Sequence, residues 1–445
     1  MIFSEYNCRE KRIIDSLRVG IIGDEGVREL TVGREKEMRI IDQWISKPEG
    51  SITVIGPYGM GKTHTNRYIE KTSLDSKFGV AYIQIGNDSP LHKPTKIFQA
   101  IFENLRFQKN EDILNIHDFF EEYIKFALEN HLENNYLWSN TFLRPLYEIA
   151  LRHYKSFNVI QSSDYFTRYH YLLGKIPNKP YGVRYSIPNE NYRTSANLYF
   201  NMLSSISLAS KQIGFNGIIL LFDELEKNDT VRNTSWKEKG EEFMTALGLV
   251  SKNESCLLDE YVEALPKGGY YGEKSRLQYS GYYLNRSKSF LKKVKDDYGY
   301  TRENRFFDVS HRYLPHDSDE NTKVGIKCAF SFVEGQGDMF LERAKNLGFL
   351  EIKLSPLDKN HEEMLVKKII TVYKKAFSND ERFLKKFADN ENELVENVMK
   401  IYQDKKRDSE AVRKLIKLTV SIMDSFRLHR MDKLDLILDD LHDRF

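Results

Sequence analysis

Apolar residues along this chain follow two spacings. Ile13, Ile14 and Leu17 share one side of residues 9–20, which predicts a short amphipathic helix. Residues 30–45 (LTVGREKEMRIIDQWI) read as a strand-like start followed by a helix. Ser51–Gly56 (SITVIG) is an unbroken β-branched run closed by glycine, as in a strand buried on both faces. Gly79–Gly86 (GVAYIQIG), Gly217–Asp223 (GIILLFD), Val324–Val333 (VGIKCAFSFV) and Phe349–Leu354 (FLEIKL) predict further strands. Residues 91–213 read as helical, in stretches such as KIFQAIFENLRF and DFFEEYIKFALENHL. They are too long and too periodic for a loop, and so predict an inserted helical subdomain. Past SPLDKN the chain reads as helical to its end.

Strands alternating with helices predict an α/β fold with a parallel five-stranded sheet covered on both faces. The expected divisions are 1–90, the first part of a core; 91–213, the helical insertion; 214–355, the rest of the core; and 356–445, a helical C-terminal domain. An irregular stretch rich in Tyr, Gly, Lys and Arg, 251–322, interrupts the third division.

Composition narrows the classes. Among 445 residues 40% are hydrophobic, enough for a sizeable core. Charges nearly cancel, leaving +2, so coating of nucleic acid by overall charge is excluded while a local basic patch is not. Cys8, Cys256 and Cys328 are far apart and odd in number, which fits reduced cytosolic usage and offers no zinc site. The first residues carry charges where a signal peptide needs an apolar region, and no apolar run reaches membrane-spanning length. A cytoplasmic protein without membrane contact is expected.

The strongest chemical signal is Gly56-Pro57-Tyr58-Gly59-Met60-Gly61-Lys62-Thr63, which fits G-x-x-x-x-G-K-[ST]. Strand, loop and helix follow in the order that motif requires. Glycines let several backbone N–H groups converge on phosphate oxygens, and the following helix adds its positive end. Lys62 would place an ammonium on the β- and γ-phosphates of ATP, and the Thr63 hydroxyl would coordinate Mg2+. His64, at the helix start beside the loop, joins the candidate ATP-binding residues.

The run Leu220-Leu221-Phe222-Asp223-Glu224 ends an apolar strand in two carboxylates. Asp223 would hold Mg2+ through water, and Glu224 would polarise the attacking water, because phosphoryl transfer depends on positioning and charge. Glu226 reads as a solvated side chain.

These residues, together with Gly33-Arg34-Glu35-Lys36-Glu37 and Leu354-Ser355-Pro356-Leu357, resemble AAA+ ATPases of the origin-recognition and STAND side of that superfamily. More narrowly, IIDSLRVGIIGDEGVRELTVGRE, PYGMGKTH and LLFDELE resemble the P-loop ATP-binding family of bacteriophage-exclusion (BREX) defence systems. The resemblance implies an AAA+-like P-loop NTPase fold whose C-terminal helices form a lid. It implies that Gly33 and Arg34 lie by the adenine, against an ordinary turn before a helix. Ser331 would be a polar sensor near the γ-phosphate, although Asn or Thr is commoner there. Arg413 would reach from the lid as a second sensor, and Arg343 would act in a neighbouring subunit's site; either is otherwise a solvated arginine. Partners implied are ATP, DNA, other defence-system proteins and further copies of the chain.

Residues 267–313 hold eleven Lys or Arg, five Asp or Glu and eight Tyr, a net charge of +6. Lys292, Lys293 and Lys295 would neutralise phosphates while Tyr282 and Tyr283 stack on bases. A protein-docking loop has the same composition. Three functions stay open: an ATPase driving assembly or remodelling on DNA in anti-phage defence, a nucleotide-gated switch that hydrolyses ATP rarely, and a DNA-transposition or replication accessory.

Overall fold

The computed structural model describes residues 8–23, 25–132, 135–140, 143–175, 180, 192–251, 325–388, 391–405 and 411–428. The basic Tyr-rich stretch 267–313 lies outside the described residues. The chain divides into two compact units, one drawn from residues 1–41, 54–71 and 352–445, the other from 42–53 and 72–351.

The chain opens with helices α1 (Cys8–Arg18), α2 (Val27–Leu30) and α3 (Glu35–Ser46), strand β1 (Ser51–Gly56), helix α4 (Lys62–Asp75) and strand β2 (Gly79–Gln84). Helix α5 (Pro94–Asn104), hairpin β3 (Phe107–Lys109) and β4 (Asp112–Leu114), and helices α6 (Ile116–Glu129), α7 (Tyr136–Ser139), α8 (Arg144–Phe157), α9 (Ser163–Leu172) and α10 (Tyr192–Gln212) come next. Strand β5 (Ile218–Asp223), a 3-10 turn (Leu225–Asn228), helix α11 (Thr234–Ser251), strand β6 (Ile326–Val333), helix α12 (Asp338–Asn346) and strand β7 (Leu350–Lys353) complete the sheet. Helices α13 (Lys359–Ala376), α14 (Glu381–Ala388), α15 (Glu391–Lys405) and α16 (Ala411–Leu428) close the described chain.

Among the described residues, five strands form one sheet in the order β2-β5-β6-β1-β7. The pairs β2–β5 and β5–β6 are parallel, with Gln84 opposite Asp223 and Phe222 opposite Phe330. Every residue of β5 and β6 is buried, which is why these strands read as unbroken apolar runs. From β1 the chain crosses to one edge of the sheet, and from β6 it returns past β1 to the other. The glycine-rich loop follows β1 directly.

The first unit has its own core, in which Ile13, Ile14 and Leu17 of α1 are buried with Leu365, Ile369 and Tyr373 of α13 and Ile422 and Phe426 of α16. A buried carboxylate, Glu362, accepts hydrogen bonds from Tyr402 Oη (2.9 Å) and Gln403 Nε2 (3.0 Å), which offsets its loss of water. The second unit packs α5, α6, α8, α9 and α10 through aromatic contacts such as Phe98 on Tyr199, with ring centroids 4.2 Å apart.

Two expected elements differ. Residues 30–33 form no strand: Leu30 ends α2, the Thr31 hydroxyl donates to Val27 O, and Thr31 O accepts from Lys368 Nζ at 3.0 Å. Side-chain partners take the place of a strand ladder. The helical reading of 91–213 misses the β3–β4 hairpin, whose turn holds Asn110 at φ 57°. Asparagine tolerates that conformation, and Phe107 buries its ring against Phe119 and Phe215.

Candidate functional site

The loop after β1 belongs to the first unit. Gly59 and Gly61 take φ of 73° and 91°, a region closed to most side chains, so the backbone can turn its N–H groups inward before α4 starts at Lys62. Lys62 is 8% exposed; its Nζ donates to Gly56 O and Pro57 O, both at 3.0 Å, and lies 5.2 Å from the Tyr58 ring centroid. Tyr58 is exposed, and so is Thr63 on the first turn of the helix.

The segment before the loop is tied to it. Arg34, also 8% exposed, donates from Nη2 to Met60 O (3.1 Å) and to Ser355 O (2.7 Å). Burial lowers the Arg34 pKa from its ordinary value, with Glu37 opposing that shift. Gly33, at φ 65°, faces His361: a Cβ there would lie 2.7 Å from the ring. The two observations explain the Gly-Arg pair as a close approach and a clip.

His64 Nε2 sits 2.8 Å from Thr31 Oγ1. That hydroxyl already donates to Val27 O, so it accepts from His64, which puts the imidazole proton on Nε2. Burial first, and then the charge of Arg34, pull the His64 pKa down to about 4, so the ring is neutral near pH 7. Arg413 stands on α16 beside Gly20, where a Cβ would meet its Cγ at 2.6 Å. Gly33, Arg34, Met60 and His64 are thus brought together, whereas Arg413 is grouped with Gly20 and Lys417.

The carboxylates belong to the second unit. Asp223 ends β5, is 2% exposed, and accepts from Tyr82 Oη and from the Glu224 backbone N–H at 2.9 Å. Glu224 takes φ 58°, a strained region for glutamate. Its Oε2 accepts from Gln84 Nε2 at 2.8 Å and pairs with Lys227 Nζ. Ser331 is fully buried within β6. Arg343 lies on α12, and its side chain is outside the described ones. Glu226 is a correction: it is 6% exposed rather than solvated, because the 3-10 turn after Glu224 carries it inward.

Sequence reading missed Tyr82, Gln84, Lys227 and Lys368, and it gave Thr31 and Ser355, which stand in quoted words, no role of their own. Gln84 carried a signal, being a polar residue that closes an otherwise apolar strand. The others give no pattern of their own.

No helix among the described residues is long and apolar enough to cross a membrane. No curated protein and no solved structure matches the chain. One family model does, that of the BREX system ATP-binding protein BrxC/D, over residues 7–142. That span holds α1, the Gly33-Arg34 segment and the entire glycine-rich loop, and over it the chain is similar to that family.

Proposed function

We propose that this chain binds ATP with Mg2+ and hydrolyses it as an AAA+-type ATPase, driving assembly or remodelling on DNA in prokaryotic anti-phage defence. The observation that carries the reading is the loop itself: two glycines at positive φ lead into a helix that begins with a buried lysine and an exposed threonine. A cradle of that form suits phosphate oxygens, and its donors suit a nucleotide bound with a hard cation. The name of the matching family supports the ATP-binding and phage-defence parts of this reading.

Residue by residue, the backbone of Gly56 to Gly61, with Pro57, Tyr58, Gly59 and Met60, would wrap the phosphates, and Lys62 would neutralise them. Thr63 and Asp223 would hold Mg2+, which supplies charge neutralisation at the phosphates when bound. Glu224 would orient and polarise the attacking water. Gly33 and His64 would border the nucleoside, with Arg34 fixing that border to Met60 O. The C-terminal helices, beginning at residue 356, would be the lid, with Arg413 as its sensor and Ser331 the sensor on the sheet.

A second reading, a switch that hydrolyses rarely, draws support from Glu224, whose carboxylate is engaged by Gln84 and Lys227. Steady-state ATPase with and without duplex DNA separates the two. Turnover that DNA accelerates supports the motor. Stoichiometric ATP retention with negligible turnover supports the switch, and no ATP binding at all overturns both. Mass photometry with and without ATP tests self-assembly. Mixing Arg343→Ala with Lys62→Ala subunits then tests whether Arg343 completes a neighbour's site, since such sites regain activity only at mixed interfaces.

A further inference from the structure

Trp236, at the start of α11, is 45% exposed, unlike the buried Trp44. One of its faces is covered: the His92 ring lies parallel to it, with centroids 4.6 Å apart and planes at 11°. His92 belongs to the segment that follows β2, and Trp236 to the segment that follows β5 and the 3-10 turn. Two distant stretches of the second unit therefore build one flat aromatic stack that solvent reaches.

The surroundings are basic. Residues 87–96 and 229–237 carry Lys93, Lys96, Arg232 and Lys237 against Asp88 and Asp229. Asp229 is already neutralised, by Lys237 at 2.8 Å and by the Gly337 backbone N–H at 2.7 Å. Lys93 and Arg232 are exposed and meet no carboxylate among the described residues. Lys93 adjoins His92 in sequence, and Arg232 comes just before the turn that starts α11. Solvent-facing aromatic surface flanked by unpaired cations is what an unpaired base with its phosphates requires, because every base has a π-face and every phosphate a charge.

The geometry points to Trp236, stacked on His92, as a binding platform for single-stranded nucleic acid, with Lys93 and Arg232 taking the flanking phosphates. This deepens the nucleic-acid part of the proposed function and does not depend on ATP hydrolysis. It also links the strand to the carboxylates. On one side, Ser89 Oγ donates to Gln84 O, and Gln84 Nε2 donates to Glu224. On the other, Asn228 Nδ2, in the turn that follows Glu224, donates to Lys237 O at 3.2 Å. A strand that shifts either segment acts on the groups that hold Glu224.

The test uses the full chain in EDTA without nucleotide, and fluorescein-labelled oligodeoxythymidylate as the probe. Trp236→Ala is expected to weaken binding by roughly 5- to 150-fold, the range for losing one aromatic stacking partner. Trp236→Phe keeps a ring and is expected to retain most of the affinity. Replacing Lys93 and Arg232 together by Ala is expected to flatten the plot of log affinity against log salt by about 1.4, for two phosphates of a single strand. A 5-iodouracil oligonucleotide photocrosslinked to the unaltered protein is expected to mark Trp236 or His92, and this arm needs no variant to fold. Unchanged affinity of Trp236→Ala overturns the platform. So does a crosslink found only elsewhere, or an equal loss for a duplex, whose bases are already stacked. A peptide or protein partner as the true occupant would give the first of these results. Affinity for a fluorescent ATP analogue, measured separately, is expected to be the same in wild type and Trp236→Ala, so failure here leaves the ATP reading standing.

Discussion

The glycine-rich loop and the carboxylate pair each follow an apolar strand, yet they are held in opposite ways. The loop is fixed largely by its own residues: Gly59 and Gly61 set the turn, and Lys62 reaches back to Gly56 O and Pro57 O. The carboxylates are fixed by residues distant in sequence, Tyr82 on Asp223 and Gln84 on Glu224, each about 140 positions away. A local device tolerates change elsewhere, because its energy is contained in a few consecutive dihedrals and short-range bonds. A device built from distant partners responds to anything that moves them, which suits a step that is to be regulated. The loop should therefore decide binding, and the carboxylates and their partners should decide rate.

The largest expected effect tests the rate side. Glu224→Gln keeps the shape and the hydrogen bond from Gln84 but loses the charge that, on the proposed reading, polarises water. Turnover should fall by about 100- to 10,000-fold, the usual worth of a general base, with ATP affinity within about twofold. A variant hydrolysing at the wild-type rate would show that another group positions the water. Lys62→Ala tests the binding side. If the Lys62 ammonium bonds phosphate oxygens as proposed, removing it should raise the dissociation constant of a fluorescent ATP analogue by roughly 10- to 150-fold, from charge-assisted bonds worth roughly 1.5–3 kcal/mol. If affinity is unchanged, the loop does not cradle phosphate and the contrast collapses.

The same contrast explains what was legible in the sequence. The loop, α1 with Ile13, Ile14 and Leu17, and the apolar strands are local patterns, and each is found where periodicity puts it. Residues whose roles depend on a distant partner left little trace. Lys327 sits inside the apolar β6 run with no apparent reason until its partners are known. Its Nζ donates to Trp44 O, Ile45 O and Lys47 O, at the carbonyl end of α3, while burial lowers its pKa to about 7. Thr31 misled in the same manner, because a β-branched residue that closes a short helix resembles one that starts a strand. Asn110 turned a helical reading into a hairpin through a single positive φ.

A smaller effect, on stability, sharpens the binding side. His64 is held at a pKa of about 4, below its ordinary value of 6.5. Between those values the unfolded chain binds a proton that the folded chain does not, so unfolding free energy rises with pH and is lost as pH falls from about 6.5 toward 4. The contribution reaches at most about 3 kcal/mol over that window. His64→Gln should flatten the pH dependence of urea midpoints there, while ATP affinity of the wild type stays level from pH 6.5 to 8. An unaltered slope in the variant would mean that His64 is already solvated in the folded chain.

The smallest expected effect falls on the partners of Glu224. Lys227 and Glu224 are both partly exposed, with side chains 46% and 33% accessible, so water screens their pairing. Exposed pairs of this kind contribute about 0.2–1 kcal/mol. If the pair restrains the carboxylate that must turn toward water, Lys227→Ala releases it and raises turnover by about two- to fivefold, with no change in ATP affinity. Gln84→Ala should act in the same direction, and the double variant should gain less than the product of the two, because both donors meet the same Oε2. Steady-state kinetics on the four proteins at two salt concentrations provides the check: the Lys227 effect should shrink at high salt and the Gln84 effect should not. A fall in turnover in both single variants would instead make Gln84 and Lys227 supports of the productive position, and Glu224 would then be as pre-set as the loop.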